Sequence, residues 1–351
     1  MTAGVSRPDS GRSLRDLPKA HLHLHFTGSM RHSTLLDLAA LHDVRLPAAL
    51  LEDWPPQLRA TDERGWFRFQ RLYDAARACV RGEADLRRVV REAAEDDAAE
   101  GSRWLELQVD PTSYAGPVGG LTPMLEIVLD EAAAASAALG TGVAVVVAAS
   151  RVRHPLDART LARLAARYAG TGPGTVVGFG LSNDERRGSI ADFAAAFDIA
   201  RRAGLACVPH GGELLGADAV AETLHRLRPD RIGHGVRSVE DLAVLDAVIE
   251  QGVTLEVCPG SNVALGVFGT AAEVPLRQLV ARGAKVALGA DDPLLFGSRL
   301  VDQYATARSV NALSDVELAH LARASLRGSR APAEVVAAAE RDIDGWLGDR
   351  S

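Results

Sequence analysis

The segment AHLHLHFTG (20–28) places imidazoles at alternate positions: His21, His23 and His25. Extended backbone alternates its side chains, so this spacing predicts three rings on one face of a strand, with Leu22 and Leu24 on the other. Strand positions two apart lie roughly 6.6–6.8 Å from each other. Two such rings can converge on one ion at ligand distances of about 2.0–2.1 Å. His21 and His25 are about twice as far apart, so a single metal would take the 21/23 or the 23/25 pair. Alone, the pattern equally fits three half-exposed histidines on an edge strand. Other residues able to do chemistry follow: His210 with Gly211, Gly212 and Glu213, His234 between Gly233 and Gly235, and Asp291-Asp292 before Pro293. Taken singly, His210 fits a hydrogen-bonded core histidine and the aspartate pair fits a turn or helix N-cap. A histidine between two glycines is harder to explain as core filling.

These residues need elements to position them. Eight short apolar runs alternate with helical patterns: 19–25, 103–110, 142–149, 176–182, 205–210, 231–235, 254–259 and 285–291. Between them, segments such as SVEDLAVLDAVIEQG put Leu242, Leu245, Val248 and Ile249 on one helical face. Gly101, Gly140, Gly204, Gly252 and Gly283 each stand just ahead of a strand as helix stop signals. Eight strands separated by helices predict an α/β fold, a (β/α)8 TIM barrel. The competing doubly wound sheet lacks its G-x-G-x-x-G after a strand. The barrel spans about 17–312. It carries a helical insertion after strand 1 at 26–102 and extra C-terminal helices at 313–349, opened by a capping box at Ser314 and Glu317. No linker demands a second domain, so 1–351 is read as one. The aromatic segment GWFRFQRLYD (65–74) is read as a helix packed on the core rather than a lid.

Barrel enzymes take their catalytic groups from the C-terminal ends of strands. His23, His25, His210, Glu213, His234, Asp291 and Asp292 all fall there, which selects 23/25 as the metal pair and puts His21 deeper in the barrel. Three imidazoles and a carboxylate suit one divalent ion, zinc by default. Such an ion lowers the pKa of bound water from 15.7 to roughly 7. The glycines beside these residues predict close approach of backbone to a ligand.

Composition narrows the function classes. With 47% hydrophobic and 24% charged residues the chain is an ordinary globular protein. A net charge of −7 argues against nucleic acid as a partner. Cys79, Cys207 and Cys258 are odd in number and scattered, which predicts a reducing cytoplasm. The start, MTAGVSRPDSGRS, has no apolar core of a secretory signal, and no apolar run is long enough for a membrane span.

The segments PKAHLHLHFTGS (18–29), WLELQVDP (104–111), VVGFGLSNDE (176–185), VPHGGE (208–213), RIGHGV (231–236), CPGSN (258–262) and GADDPLLFGS (289–298) together resemble the adenosine deaminase family of the amidohydrolase superfamily. The resemblance implies one zinc ion per chain and hydrolysis of the 6-amino group of a purine nucleoside. His23, His25, His210 and Asp291 match its metal ligands, and Glu213 matches the acid that protonates N1. His234 matches the histidine that orients or deprotonates the metal-bound water, and Asp291 also accepts a hydrogen bond from that water. Asp292 matches the residue facing N7. Asn183 occupies the place of a glycine whose amide meets N3, and Gly212 joins the substrate-contacting set. Binuclear relatives need a lysine near strand four, where VVGFGLS has none, and cytidine-type zinc deaminases need a C-x-x-C that Cys258 lacks.

Thr27 departs from the pattern. The family usually has Glu or Asp there, contacting the ribose 5′-hydroxyl. A neutral residue removes repulsion toward an anionic 5′ substituent, a term of roughly 4 kcal/mol at about 4 Å and an effective dielectric of about 20. HFTGSMR with LQVDPTSY resembles the branch acting on 6-amino-6-deoxyfutalosine, in the futalosine route to menaquinone, with Arg31, Arg68 and Arg71 as candidates for its carboxylate. Adenosine is the alternative substrate, with free adenine less favoured because the adenine-specific branch keeps the acid. An inactive nucleoside-binding barrel and a metal-dependent amide or ester hydrolase are the readings from other classes.

Overall fold

The computed structural model describes residues 11–58 and 62–348. Residues 1–10, part of the stretch read for a secretory signal, and position 349 of the C-terminal helices lie outside the described residues. Each apolar run forms a strand: β1 (Lys19–His25), β2 (Ser102–Val109), β3 (Gly142–Ser150), β4 (Val176–Ser182), β5 (Ala206–Gly211), β6 (Arg231–His234), β7 (Thr254–Val257) and β8 (Lys285–Leu288). They pair in parallel in that order. A bridge between Leu24 and Asp291 brings the last strand's end back to the first. The expected (β/α)8 barrel is therefore the fold. The five predicted stop glycines all adopt positive φ, between 71° and 84°, a conformation nearly free of cost only for glycine.

Five helices fill the insertion between β1 and β2: Phe26–Ser29, His32–Leu41, Ala48–Leu51, Glu63–Arg77 and Glu83–Ala99. After the barrel, Asp315–Gly328 packs against β1 and β8, and Ala333–Gly348 packs on it. The Ser314–Glu317 capping box is formed. Ser325 accepts a hydrogen bond from the Ala20 amide at 2.9 Å, so the first of these helices covers the end of the barrel where the strands begin.

β1 departs from simple alternation, with consequences for the site. In β1 the pairing with β2 shifts register between His21 and Leu24. That is a bulge, which lets two successive residues face the same way. Leu22 joins the buried cluster that includes Trp104 and Ala144, whereas Leu24 joins Leu105 and Leu107 against the helices. His21 is thereby turned away from His23 and His25, correcting the expectation of three rings on one face. Its Nδ1 meets Asp97 of helix Glu83–Ala99 at 2.8 Å, and its Nε2 accepts from the Ala290 amide at 3.0 Å. His21 is buried, but as a brace between strand and helix.

Beneath the strand exits lies a buried ionic layer. Arg231 donates to Glu256 at 2.6 Å, to Glu106, and to the Gly328 carbonyl at 2.9 Å. Glu106 also accepts from Trp104 Nε1 at 3.0 Å and from the Arg330 amide at 2.6 Å. All three charged side chains are essentially inaccessible. Removing one partner of such a layer strands the others, a loss of about 3–5 kcal/mol. Arg231→Met is expected to lower unfolding free energy by about that much in urea titration. A midpoint within error of the parent would show that the layer contributes little.

Candidate active site

Four strand exits deliver imidazoles or carboxylates to one point. His23 Nδ1 is held by Glu256 at 2.8 Å, which aims Nε2 into the centre; there Nε2 is buried with no hydrogen-bond partner. His25 Nε2 lies 3.2 Å from His210 Nε2 and 3.2 Å from Asp291 Oδ1. His23 Nε2 lies 3.5 Å from the same Asp291 oxygen. His234 Nε2 sits 3.5 Å from Glu213 Oε1 and 3.9 Å from Asp291 Oδ2. Candidate ligand atoms of His23, His25 and His210 fall within 4.8 Å of one another, as do those of His23, His234 and Asp291. An orphaned imidazole nitrogen beside three more nitrogens and a carboxylate is a donor set that fits a divalent cation.

Backbone geometry supports the convergence. His234 and Asp291 adopt φ of 64° and 62°, and Asn183 adopts 79°. Such values cost non-glycine residues energy and cluster at functional positions. At Asn183 this is the conformation a glycine would take freely, so its amide direction survives the change of residue. Gly233 leaves room for rings, since a Cβ there would lie 2.8 Å from His23 and 3.0 Å from His210. At Gly28 a Cβ would fall 1.8 Å from Asp292 Oδ1. These glycines admit neighbouring side chains rather than a ligand.

The buried charges sort themselves into distinct protonation states. Burial lowers His23, but the facing carboxylates of Asp291 and Glu256 outweigh it and push its pKa up to about 10. Burial and the neighbouring imidazoles hold His210 well below the usual histidine value. Burial, with His23 next, lowers His234 to about 3. Burial raises Glu213 well above the carboxylate range, reinforced by Asp291 and Glu185. Burial and Asp291 do the same to Asp292. Burial also opposes ionisation of Asp291, but His23 and His25 hold it well below its usual value. The site thus sets one carboxyl group that ionises readily against two whose ionisation burial opposes, the separation that acid–base chemistry uses.

His25, Thr27, Asn183, His210, Glu213, His234, Asp291 and Asp292 all line one cavity of about 850 Å³, with His23 behind them. Asp292 makes no side-chain cap for the helix Pro293–Phe296, and its Oδ1 is buried without a partner. Three expectations are corrected. Gly212 does not line the cavity: its amide donates to Glu185 and its carbonyl accepts from the Arg237 amide, so both backbone groups are committed. Arg31 is bound by Asp96 and Glu95, and Arg71 is not among the lining residues; of the three arginines only Arg68 reaches the cavity. The aromatic helix Glu63–Arg77 buries Trp66 and Phe69, yet also forms the cavity wall through these residues, Phe67 and Tyr73.

Sequence reasoning passed over Glu106, Glu185, Arg231 and Glu256. For Glu106, Arg231 and Glu256 the signal was present, since charges inside apolar strand runs need partners when buried; Glu185, in the loop after β4, carried no such mark.

A closed barrel with this His/Asp cluster at its mouth defines the amidohydrolase-type barrels, whose deaminases depend on metal. The family model described as adenosine deaminase matches residues 18–346. A Streptomyces virginiae protein named for adenosine/adenine deamination is 60% identical over 339 residues, covering 97% of this chain and 99% of the relative. The crystal structure of adenine deaminase from Arthrobacter aurescens superposes with a TM-score of 0.86 at 28% identity, covering 95% of this chain and 99% of that one. A zinc-bound amidohydrolase from Burkholderia ambifaria shares the fold at 21% identity and a TM-score of 0.81, covering 99% and 97%. The chain belongs to the adenosine deaminase family. It is a hydrolase of C–N bonds, of the adenosine/adenine type.

Ligand-orienting carboxylates typically contribute 10–100-fold to metal affinity. Glu256→Gln is therefore expected to weaken zinc binding by roughly that factor in chelator competition. Unchanged affinity would show that Glu256 does not set the orientation of His23.

Proposed function

We propose that this protein hydrolytically deaminates 6-amino-6-deoxyfutalosine, an adenine nucleoside with an anionic 5′ extension, in the cytoplasm and with one zinc ion per chain. The observation that carries the reading is the state of Thr27. It is neutral, buried and hydrogen-bonded to the Tyr114 hydroxyl, at a cavity whose walls include Arg64, Arg68, Arg77, Arg153 and Arg187. A bare purine would fill a small part of about 850 Å³, a volume in the range of sites for much larger ligands. Arg77 is the arginine best prepared for an anion. Its guanidinium lies 4.9 Å from the Tyr73 ring centre and donates to Asp74 at 3.1 Å, while its Nε is buried with no partner and remains to be satisfied.

His23, His25, His210 and Asp291 would hold the zinc, which when bound acidifies water and so supplies a nucleophile at neutral pH. Glu213, kept neutral by burial, donates its proton to purine N1 and makes C6 electrophilic. His234 takes one proton from the attacking water while Asp291 accepts a hydrogen bond from it. The new C6–O bond forms, His234 passes its proton to the amino group as the C6–N bond breaks and ammonia leaves, and the C6 hydroxyl proton returns to Glu213 to leave the 6-oxo purine. Asp292, also protonated, faces N7, and the Asn183 amide meets N3. Positioned acid–base groups of this kind contribute about 10²–10⁴ in rate.

The relatives named for adenosine and adenine deamination favour those bases as the second reading. A panel of aminodeoxyfutalosine, adenosine and adenine, followed by the ultraviolet change from 6-amino to 6-oxo purine, separates them. The expected order of kcat/KM has aminodeoxyfutalosine first; adenosine or adenine ahead of it overturns the substrate assignment. Thr27→Asp is expected to move preference toward adenosine, and Arg77→Gln to raise KM for the anionic substrate alone. Glu213→Gln is expected to lose about 10²-fold or more in kcat. Activity unchanged in that variant would remove the proton-donor role, whereas no turnover of any purine by the parent would favour a binding barrel. Metal analysis is expected to find about one zinc per chain; two, with amide or ester hydrolysis, would indicate the other hydrolase class.

A further inference from the structure

Glu185 sits in the loop after β4, two residues beyond Asn183, and is 4% exposed. Its carboxylate accepts four successive backbone amides from the loop after β5. Gly212 donates to Oε1, while Glu213, Leu214 and Leu215 donate to Oε2 at 3.0, 2.7 and 2.9 Å. Helix Ala217–Leu227 begins only beyond this stretch, so these amides form an anion-binding nest made by the loop itself. Gly212 enters it with φ of 71°.

We propose that Glu185 is a positioning residue that shapes the 212–215 loop, aims the Glu213 carboxyl at the purine and locks it to the Asn183 segment. The inference rests on the reading of Glu213 as proton donor. Four donors converging on one acid, those of Gly212 and Glu213 buried and those of Leu214 and Leu215 partly so, fix the backbone on which Glu213 stands, and buried amides without acceptors are costly. The same side chain ties the exits of β4 and β5 together. Asn183 and Glu213 address N3 and N1 of one six-membered ring, so a single carboxylate sets the spacing between two contacts on the same base. The Glu185 carboxylate, after burial and Asp291, also opposes ionisation of Glu213. Arg151, whose guanidinium donates to the His210 carbonyl, lies within the field of both carboxylates and keeps the pair from being uncompensated.

Glu185→Gln keeps the shape but supplies only one acceptor oxygen, so at least one amide faces an NH2 group. The measurements are kcat, KM and zinc content, with the dissociation constant of the 1-deaza analogue of the fastest panel substrate. That analogue has C–H in place of N1 and makes no use of Glu213. The expected result is a kcat at least tenfold lower, with zinc content and 1-deaza affinity unchanged. The double variant with Glu213→Gln should be no slower than Glu213→Gln alone, because residues acting as a unit are not additive. Losses that multiply, or a kcat equal to the parent's, overturn the role of Glu185 while leaving Glu213 as donor. Full activity in Glu213→Gln instead removes the reading on which this one rests. Should Glu185→Gln not fold, Glu185→Asp retains the charge with shorter reach. It is expected to lower kcat with 1-deaza affinity preserved, and weakening of both in parallel overturns the proposal.

Discussion

His23 lies between two carboxylates. Glu256 holds Nδ1 from one side and Asp291 stands 3.5 Å from Nε2 on the other. A charge such as Glu256 cannot sit inside a barrel without compensation, and Arg231 supplies it, bonded in turn to Glu106 and to the Gly328 carbonyl. The direction in which the first imidazole points therefore depends on a chain of contacts reaching to the helices after the barrel. Those helices cap the barrel's floor, and they also set the base of the stack whose top is the reactive centre.

The upper layer follows a second constraint, that several acids must share a small volume without all being ionised. Bonds from His23 and His25 hold Asp291 well below its usual value, whereas burial first, and the Asp291 charge second, push Glu213 and Asp292 well above theirs. Burial and one charge together thus separate the three acids, and those that resist ionisation are suited to donate into the cavity. Thr27 extends the same economy outward. At that position a hydroxyl bonded to Tyr114 stands in place of a carboxylate, while Glu63, Asp74, Asp110 and Asp184 line the cavity beside its arginines.

Much of this was legible in the sequence. Period-two apolar runs, the stop glycines and the strand-end rule located the barrel and brought His23, His25, His210, Glu213, His234, Asp291 and Asp292 together. What escaped was long-range or irregular. The β1 bulge turned His21 away from its fellows, and alternation alone carries no sign of a register shift. Glu106, Arg231 and Glu256 are charges within apolar runs that sequence reasoning passed over, and their mutual pairing spans three strands. Gly212 was read as a ligand contact because glycines beside catalytic residues often are; its amide was already taken by Glu185. Arg31 was spent on Asp96 and Glu95 of a neighbouring helix, a partnership that no spacing rule anticipates.

The barrel closes at the same residues that form its reactive centre. The His25 amide donates to the Asp291 carbonyl at 3.0 Å, and the Asp291 amide donates to the His23 carbonyl at 2.9 Å. The seam joins the first strand made by the ribosome to the last, so His23 and His25 emerge long before their partner exists. The set formed by His23, His25, His210 and Asp291 is therefore complete only once the last strand has met the first, so the geometry of the centre and the closure of the barrel are one and the same event.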